Sequence, residues 1–371
     1  MTHPYRLADE AAVPSPALVF YPEFVRRNVA RVVEMAGDPA RLRPHVKTHK
    51  TREIVRLQLA AGVTKHKCAT IAEAEVLASA GAPDVLLAYP VLGPNAARLA
   101  KLAATFPGTR FAALVDSDES LAGLAAAARA HPLGAFLDLN VGMDRTGIAV
   151  GYAAAELYAR VARTPNLTPR GLHAYDGHNH QGPPAERAAA AAAALAPVLA
   201  FRDRLRAGGT PCDAVVAGGT PTFPVYAAMA DVPGLECSPG TYVLHDHNYG
   251  SRYPDFTGIT PAAVLLTRVI CRPTPTRVTL DLGHKAVAAD PPLANRVRLL
   301  GVPEHTVVGQ SEEHLMIETA HAGEFEIGRV VYALPGHVCP TCALHREALV
   351  AEGGRVVGAW AIAARDRTIT A

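Results

Sequence analysis

Arg41-Leu42-Arg43-Pro44-His45-Val46-Lys47-Thr48-His49-Lys50 decides how this chain is read, because a short strand-like run empties into a segment carrying two lysines and two histidines. Lysine is the side chain whose neutral amine makes a Schiff base with an aldehyde, and basic neighbours or loss of water lower its pKa toward neutrality. A lysine just past a strand is either a catalytic amine or part of a basic surface turn. The pattern around it has to separate the two.

From Leu42 to about Tyr242, short β-like runs alternate with alanine-rich helical ones, the βαβα order of a parallel sheet. Strands are expected to start near Leu42, His66, Val85, Phe111, Ala135, Gly171, Ala214 and Leu235, and eight strands favour a closed barrel. Helices fit between them at Glu53 to Ala61, Ile71 to Ala80, Asn95 to Thr105, Glu119 to Ala130, Tyr152 to Arg163 and Ala185 to Arg206, with Pro22 to Ala36 ahead of the first strand. The Ala188 to Ala194 run reads as a barrel helix, since alanine is the best helix former and Leu195, Val198 and Leu199 continue an apolar face. Pro197 is a candidate kink. After about Pro254 the helical period fades, and β-branched runs take over at Ala263 to Cys271, Arg277 to Leu282, Leu315 to Thr319, Arg329 to Leu334 and Arg355 to Ala363. Pro14 to Phe20 is a candidate further strand of that sheet. The predicted fold is α/β: a (β/α)8 TIM-like barrel over residues 21–254, and a second, mostly β C-terminal domain made of residues 255–371 with 1–20.

At 371 residues and 49% hydrophobic content the chain has material for such cores, and a formal charge of +2 leaves no electrostatic footprint for nucleic acid or an anionic membrane. The expected partner is a small molecule. Met1 to Pro14 lacks a signal-peptide core and no apolar run approaches membrane-spanning length, so a cytoplasmic protein is expected. Six cysteines are too few for a disulfide scaffold, and Cys339 and Cys342 read as reduced thiols available to metal.

Barrel chemistry belongs at the C-terminal strand ends. There stand Lys47, Tyr89, then Asn140, Asp144 and Arg145, the polar segment His173 to His180, Gly218-Gly219-Thr220, and Ser238-Pro239-Gly240-Thr241-Tyr242. Glycines let backbone N–H groups approach an anion, and barrel phosphates often sit by the loops after the last two strands. His337-Val338-Cys339-Pro340-Thr341-Cys342, with His345 beyond, offers metal ligands. A closed four-ligand zinc site is one reading, but ligands packed so tightly with no second cluster are geometrically awkward, which favours an open site with two protein ligands. A thiolate there selects zinc over magnesium or calcium.

The Arg43 to Lys50 string resembles, nearly letter for letter, the cofactor-lysine segment of the D-threonine aldolase and D-serine dehydratase family, whose barrel is related to that of alanine racemase. The resemblance covers almost the whole chain. It implies pyridoxal 5'-phosphate carried on Lys47, with Gly218, Gly219, Thr220, Gly240 and Tyr242 at its phosphate, Arg145 near its ring oxygen and Tyr175 beside it. It implies a divalent metal, zinc or manganese, beside the cofactor on His337 and Cys339, with Cys342 in packing. The implied enzyme is a homodimeric lyase of D-β-hydroxy-α-amino acids. Retro-aldol cleavage, with a metal-bound water or one of His178 and His180 as base, is the favoured chemistry, and the Tyr175 to His178 region and Pro340-Thr341 lean that way. Cys339 leans toward the alternative, a D-serine or D-3-hydroxyaspartate dehydratase. A cofactor-holding regulatory protein without lyase activity is a second alternative.

Overall fold

The computed structural model describes residues 3–370, and the chain divides into two compact units. One takes in Ala30–Lys47, Arg52–Gly240 and the residues from Asp366 on; the other takes in the chain as far as Val29, Thr48–Thr51 and Thr241–Arg365. No helix among the described residues is long and apolar enough to cross a membrane.

The first unit is the barrel. Its parallel staves run in the order Lys65–Cys68, Asp84–Pro90, Arg110–Val115, Leu133–Asn140, Leu167–Ala174, Ala214–Ala217 and Leu235–Cys237, and the two-residue strand Ile148–Ala149 pairs with the end of Leu133–Asn140. The first expected stave, at Leu42, is reduced to two bridges: Leu42 pairs with Cys237 and His45 with Lys67. Those bridges join the last strand to the second and close the ring. The reason for the reduction is Pro44, which has no N–H to give and interrupts the ladder.

The helices form where the sequence places them. Thr70 caps Ile71–Ser79 by accepting from the Glu73 N–H at 3.1 Å, while the Glu73 carboxylate accepts from the Ala69 N–H at 2.7 Å, so orphan donors at this end are satisfied reciprocally. Pro184–Ala207 runs 24 residues straight through Pro197, burying Ala191, Leu195, Val198, Phe201 and Leu205 as one stripe at helical spacing.

Inside the barrel an apolar cluster, Leu86, Ala112, Leu114, Phe136 and Val216, shares the space with charge. Arg43 is wholly buried: its Nε donates to Glu236 Oε2 and its Nη1 to Asp84 Oδ1, both at 2.6 Å, and its guanidinium lies 5.5 Å from the Phe136 ring centroid. Arg170 adds a 2.7 Å donation to Asp84, and Lys65 one of 2.5 Å to Glu236. Burial alone would raise the Asp84 carboxyl, but Arg43 and Arg170 outweigh it and hold it below the usual range.

The second unit is a β sheet centred on Ala263–Thr274, which pairs antiparallel with Ala17–Phe20, Val330–Pro335 and Arg277–Leu280. Ala17–Phe20 in turn pairs in parallel with Glu347–Glu352. Strands Val297–Leu300, Thr306–Gln310 and Glu347–Glu352 were not expected; they are short, and Arg298 or Gly309 inside them breaks up the apolar signal.

Replacing Arg43 by methionine removes the one cation shared by two buried carboxylates. It should lower unfolding free energy by about 3–5 kcal/mol, read as a shifted urea midpoint at unchanged slope; an unmoved midpoint would make the ion web dispensable.

Candidate active site

The C-terminal ends of the barrel staves converge on the ring of Tyr175, which follows strand Leu167–Ala174. Three cations stand around it: Lys47 Nζ at 5.8 Å from the centroid, Lys67 Nζ at 5.6 Å and Arg145 Cζ at 4.8 Å. Lys47 is exposed in a short 3₁₀ turn, Val46–Thr48, between buried neighbours, and its own N–H donates to His45 Nδ1 at 3.2 Å. Arg145 is exposed in the loop after Leu133–Asn140. Lys67, by contrast, is 2% exposed and lies within strand Lys65–Cys68.

Behind the ring runs a buried polar chain. Lys67 Nζ is 3.4 Å from His173 Nε2, and His173 Nδ1 is 2.6 Å from Asp138 Oδ1. Burial pushes the Lys67 amine down to about 7, with the nearby Lys47 charge adding to the effect. Burial also lowers His173 despite its carboxylate partner, and it would raise Asp138, which His173 and Thr146 instead hold low.

The loop after strand Ala214–Ala217 comes close to the same ring, since an added Cβ at Gly219 would stand 3.2 Å from it. Gly218 has φ +76°, a conformation glycine adopts freely, and an added Cβ would stand 2.6 Å from the Tyr226 ring. Gly219 N–H donates to Thr222 Oγ1 at 3.3 Å, and Gly240 N–H to Thr220 Oγ1 at 3.0 Å. Asp176 frames this turn from below, accepting from the Tyr226 hydroxyl at 2.6 Å and from the Thr222 hydroxyl at 3.0 Å. Burial lifts its carboxyl above the usual range even against those hydrogen bonds. His178 follows, its Nδ1 buried without a hydrogen-bond partner and its Nε2 packed toward Gly142, while His180 is exposed. A recess of about 1040 Å³ opens at the other end, among the strand starts Lys65, Asp84, Arg110, Gly134, Arg170 and Glu236. Its carboxylates already neutralise the barrel's structural arginines, so the chemistry is sought at the Tyr175 end.

Lys47, Lys67 and Arg145 meet few carboxylates: Asp138 is engaged by His173, and burial disfavours the charge on Asp176. That surplus of positive charge beside glycine-bearing loops fits an anionic, carbonyl-bearing cofactor such as pyridoxal phosphate.

In the second unit, His337 and Cys339 share the turn that leaves strand Val330–Pro335. His337 Nδ1 is 2.6 Å from Asp290 Oδ2, and its ring also hydrogen-bonds with Cys339. Thr48 Oγ1 lies 3.2 Å from Cys339 Sγ and Thr241 Oγ1 3.6 Å from it. Asp246 accepts from the Val338 N–H at 3.1 Å and fixes the turn. An imidazole oriented by a carboxylate, next to a thiol, is a donor set that fits a divalent metal such as zinc. Among the described residues no group of three or more His, Cys, Asp or Glu is placed to hold a metal. Tyr242 belongs to this unit, buried in the turn Thr241–Val243, and Cys342 is fully buried.

Lys67 and Asp138 were not singled out from the sequence, and His173 and Asp176 only as part of a polar segment. The one available signal was Lys65-His66-Lys67, a basic run inside what is otherwise an apolar set of staves.

Comparison with known proteins gives two family matches: Alanine racemase, N-terminal domain, over residues 23–244, and Putative serine dehydratase domain, over residues 262–351. The chain is 30% identical to a 3-hydroxy-D-aspartate aldolase of Paracoccus denitrificans (strain Pd 1222), over 97% of this chain and 94% of that protein. It is 28% identical to a D-threo-3-hydroxyaspartate dehydratase of Delftia sp. (strain HT23), over 91% and 95%. Among solved structures, D-threonine aldolase from Filomicrobium marinum superposes with a TM-score of 0.88 at 28% identity, over 100% of both chains.

Gly218→Ala forces a left-handed backbone onto a side chain and a methyl into Tyr226. It should lower stability by about 1–3 kcal/mol and weaken binding of pyridoxal phosphate to the protein in an absorbance titration; unchanged values in both would remove this turn from the site.

Proposed function

Since this chain belongs to the family of alanine racemase N-terminal domains, here followed by a putative serine dehydratase domain, we propose that it is a pyridoxal-phosphate- and divalent-metal-dependent lyase of D-β-hydroxy-α-amino acids. Its main activity is retro-aldol cleavage of D-threonine-like substrates to glycine and an aldehyde. The observation that carries this reading is the cluster of Lys47, Lys67 and Arg145 around Tyr175. It supplies one exposed amine, the buried Lys67 amine and a guanidinium around one aromatic ring.

When bound, the cofactor supplies an electron sink for the bonds at the substrate's Cα. Lys47 would hold it, Arg145 would answer the negative charge of its ring, and the amides of Gly218 to Thr220 and Gly240, with Tyr242, would bind its phosphate. His337 and Cys339 would hold a divalent metal, which would supply positive charge to favour ionisation of a hydroxyl. His178, with a buried unpartnered Nδ1, is the preferred base for that proton, with His180 the second candidate. The enzyme is read as a homodimer, on the strength of the family resemblance, and as a cytoplasmic protein.

Dehydration is the competing chemistry, because the Delftia relative carries that activity in its name and Cys339 leans toward it. The products decide. Incubation with D-threonine and a divalent metal should give acetaldehyde and glycine. The protein should be yellow, and borohydride reduction followed by peptide mapping should place the pyridoxyl group on Lys47; Lys47→Ala should lose both colour and turnover. Formation of 2-oxobutanoate and ammonia alone would replace aldolase by dehydratase, and a label on Lys50 or Lys65 would unseat Lys47.

Chelation gives a separate expectation. A metal held by two protein ligands is not needed to close the fold, so removing it should abolish turnover while the melting temperature moves little. A drop of many degrees would point to a structural ion instead.

A further inference from the structure

Lys67 is the cation of the barrel mouth that the proposed function leaves without a task. It is 2% exposed, and a lysine in such a place forfeits hydration that a surface lysine keeps. Its surroundings are specific. His173 faces it at 3.4 Å from strand Leu167–Ala174, and Asp138 stands behind His173 at 2.6 Å from strand Leu133–Asn140. Lys47 and Arg43 act on it from the first stave, Asp176 from the loop after Tyr175, and Arg145 acts on His173. The Asp138 carboxylate takes the His173 Nδ1–H, so Nε2 carries a lone pair directed at the Lys67 amine. Asp138, His173 and Lys67 thus form a closed chain in which a proton can sit on Lys67 or on His173 without leaving the protein.

Lys47 and Lys67 share one further coordinate, the Tyr175 ring, with their Nζ atoms 5.8 and 5.6 Å from its centroid. An amino acid substrate arrives as an ammonium ion and must react as an amine in the place of the Lys47 amine, so one proton has to be removed at that ring. We propose that Lys67, backed by His173 and Asp138, is the group that takes this proton, an inference that rests on the lyase reading above. The N–H bond of the substrate ammonium breaks, and an N–H bond forms at Lys67 Nζ. The proton can pass to His173 Nε2, giving an imidazolium against the Asp138 carboxylate, and it returns to the departing product amine. No electrons change hands.

The acceptor must be neutral, and burial pushes the Lys67 amine down to about 7. Exchange should therefore run freely above that pH and fall about tenfold per unit below it. Arginine cannot serve, because it never gives up its proton in proteins.

The test uses the holoenzyme and D-alanine, which can exchange with Lys47 but has no β-hydroxyl to cleave. The change in the bound cofactor's visible band on mixing is followed by stopped flow from pH 6 to 9. Wild type should show an acid limb near pH 7. In Lys67→Met and Lys67→Arg the protein should fold and stay yellow, with exchange at pH 8 slowed about a hundredfold and the limb lost. Asp138→Asn keeps the amine but breaks its backing, and should displace the limb by a unit or more. Wild-type rates and an unmoved limb in both Lys67→Met and Asp138→Asn would overturn the proposal. If Lys67→Met fails to fold or to colour, an unmoved limb in Asp138→Asn overturns it alone. Wild-type protein with no pyridoxyl label on Lys47 after borohydride would instead sink the lyase reading, and this inference with it.

Discussion

The barrel depends on one buried cation. Arg43 sits with no solvent exposure between the carboxylates of Asp84 and Glu236, and two anions brought into that interior would be ruinous without it. Its backbone does the complementary work. Arg43 N–H donates to Cys237 O at 2.8 Å, His45 N–H to Pro239 O at 3.0 Å, and Lys67 N–H to Pro44 O at 2.8 Å. The segment that neutralises the barrel floor is therefore the segment that zips the last strand to the second. Four residues later on the same rigid piece stands Lys47. A strand with a full ladder would have given the closure more hydrogen bonds, but Pro44 ends the ladder and turns the chain toward the mouth.

Charge inside the barrel is thus arranged in two roles. At the strand starts, Arg43, Arg110, Arg170 and Lys65 each form an ion pair with Asp84 or Glu236, which is what a structural web requires. At the strand ends, Asp138 is engaged by His173 and Asp176 by the Tyr226 and Thr222 hydroxyls, while Lys47, Lys67 and Arg145 face the Tyr175 ring. Desolvation works on both sets. The difference in partners, rather than a difference in net charge, separates the Tyr175 end from the structural one.

Most of the framework was legible in the sequence, because barrel helices and staves carry strong periodicity. Asn95–Thr105, Tyr152–Arg163 and Pro22–Ala36 fall where the apolar spacing puts them, and each stave start lies within a few residues of its expected place. The short β strands Thr306–Gln310 and Glu347–Glu352 were not, since a strand of five or six residues broken by glycine or flanked by acids has no periodic signal to offer. In the site, Lys47, Arg145 and the glycine loops announce themselves by position after strands. Lys67 and Asp138 do not, because they lie within strands, and sequence alone does not say that a strand residue points at a neighbour's histidine rather than into a core.

The second unit applies the same logic with different chemistry. Asp246 accepts both the Tyr249 N–H, at 2.9 Å, and the Val338 N–H, so one buried carboxylate caps the helix His247–Arg252 and anchors the turn between His337 and Cys339. Thr341 ties that turn again, donating to His337 O at 2.8 Å and accepting from Ala288 N–H at 3.1 Å. A ligand pair fixed through its backbone in this way has little reorganisation left to undergo when an ion binds. With only two protein donors, such an ion would have to take its remaining contacts from water and substrate. A pair held by the hydrogen bonds of its own turn would offer a divalent ion an imidazole and a thiolate at fixed positions, whichever bond the enzyme breaks.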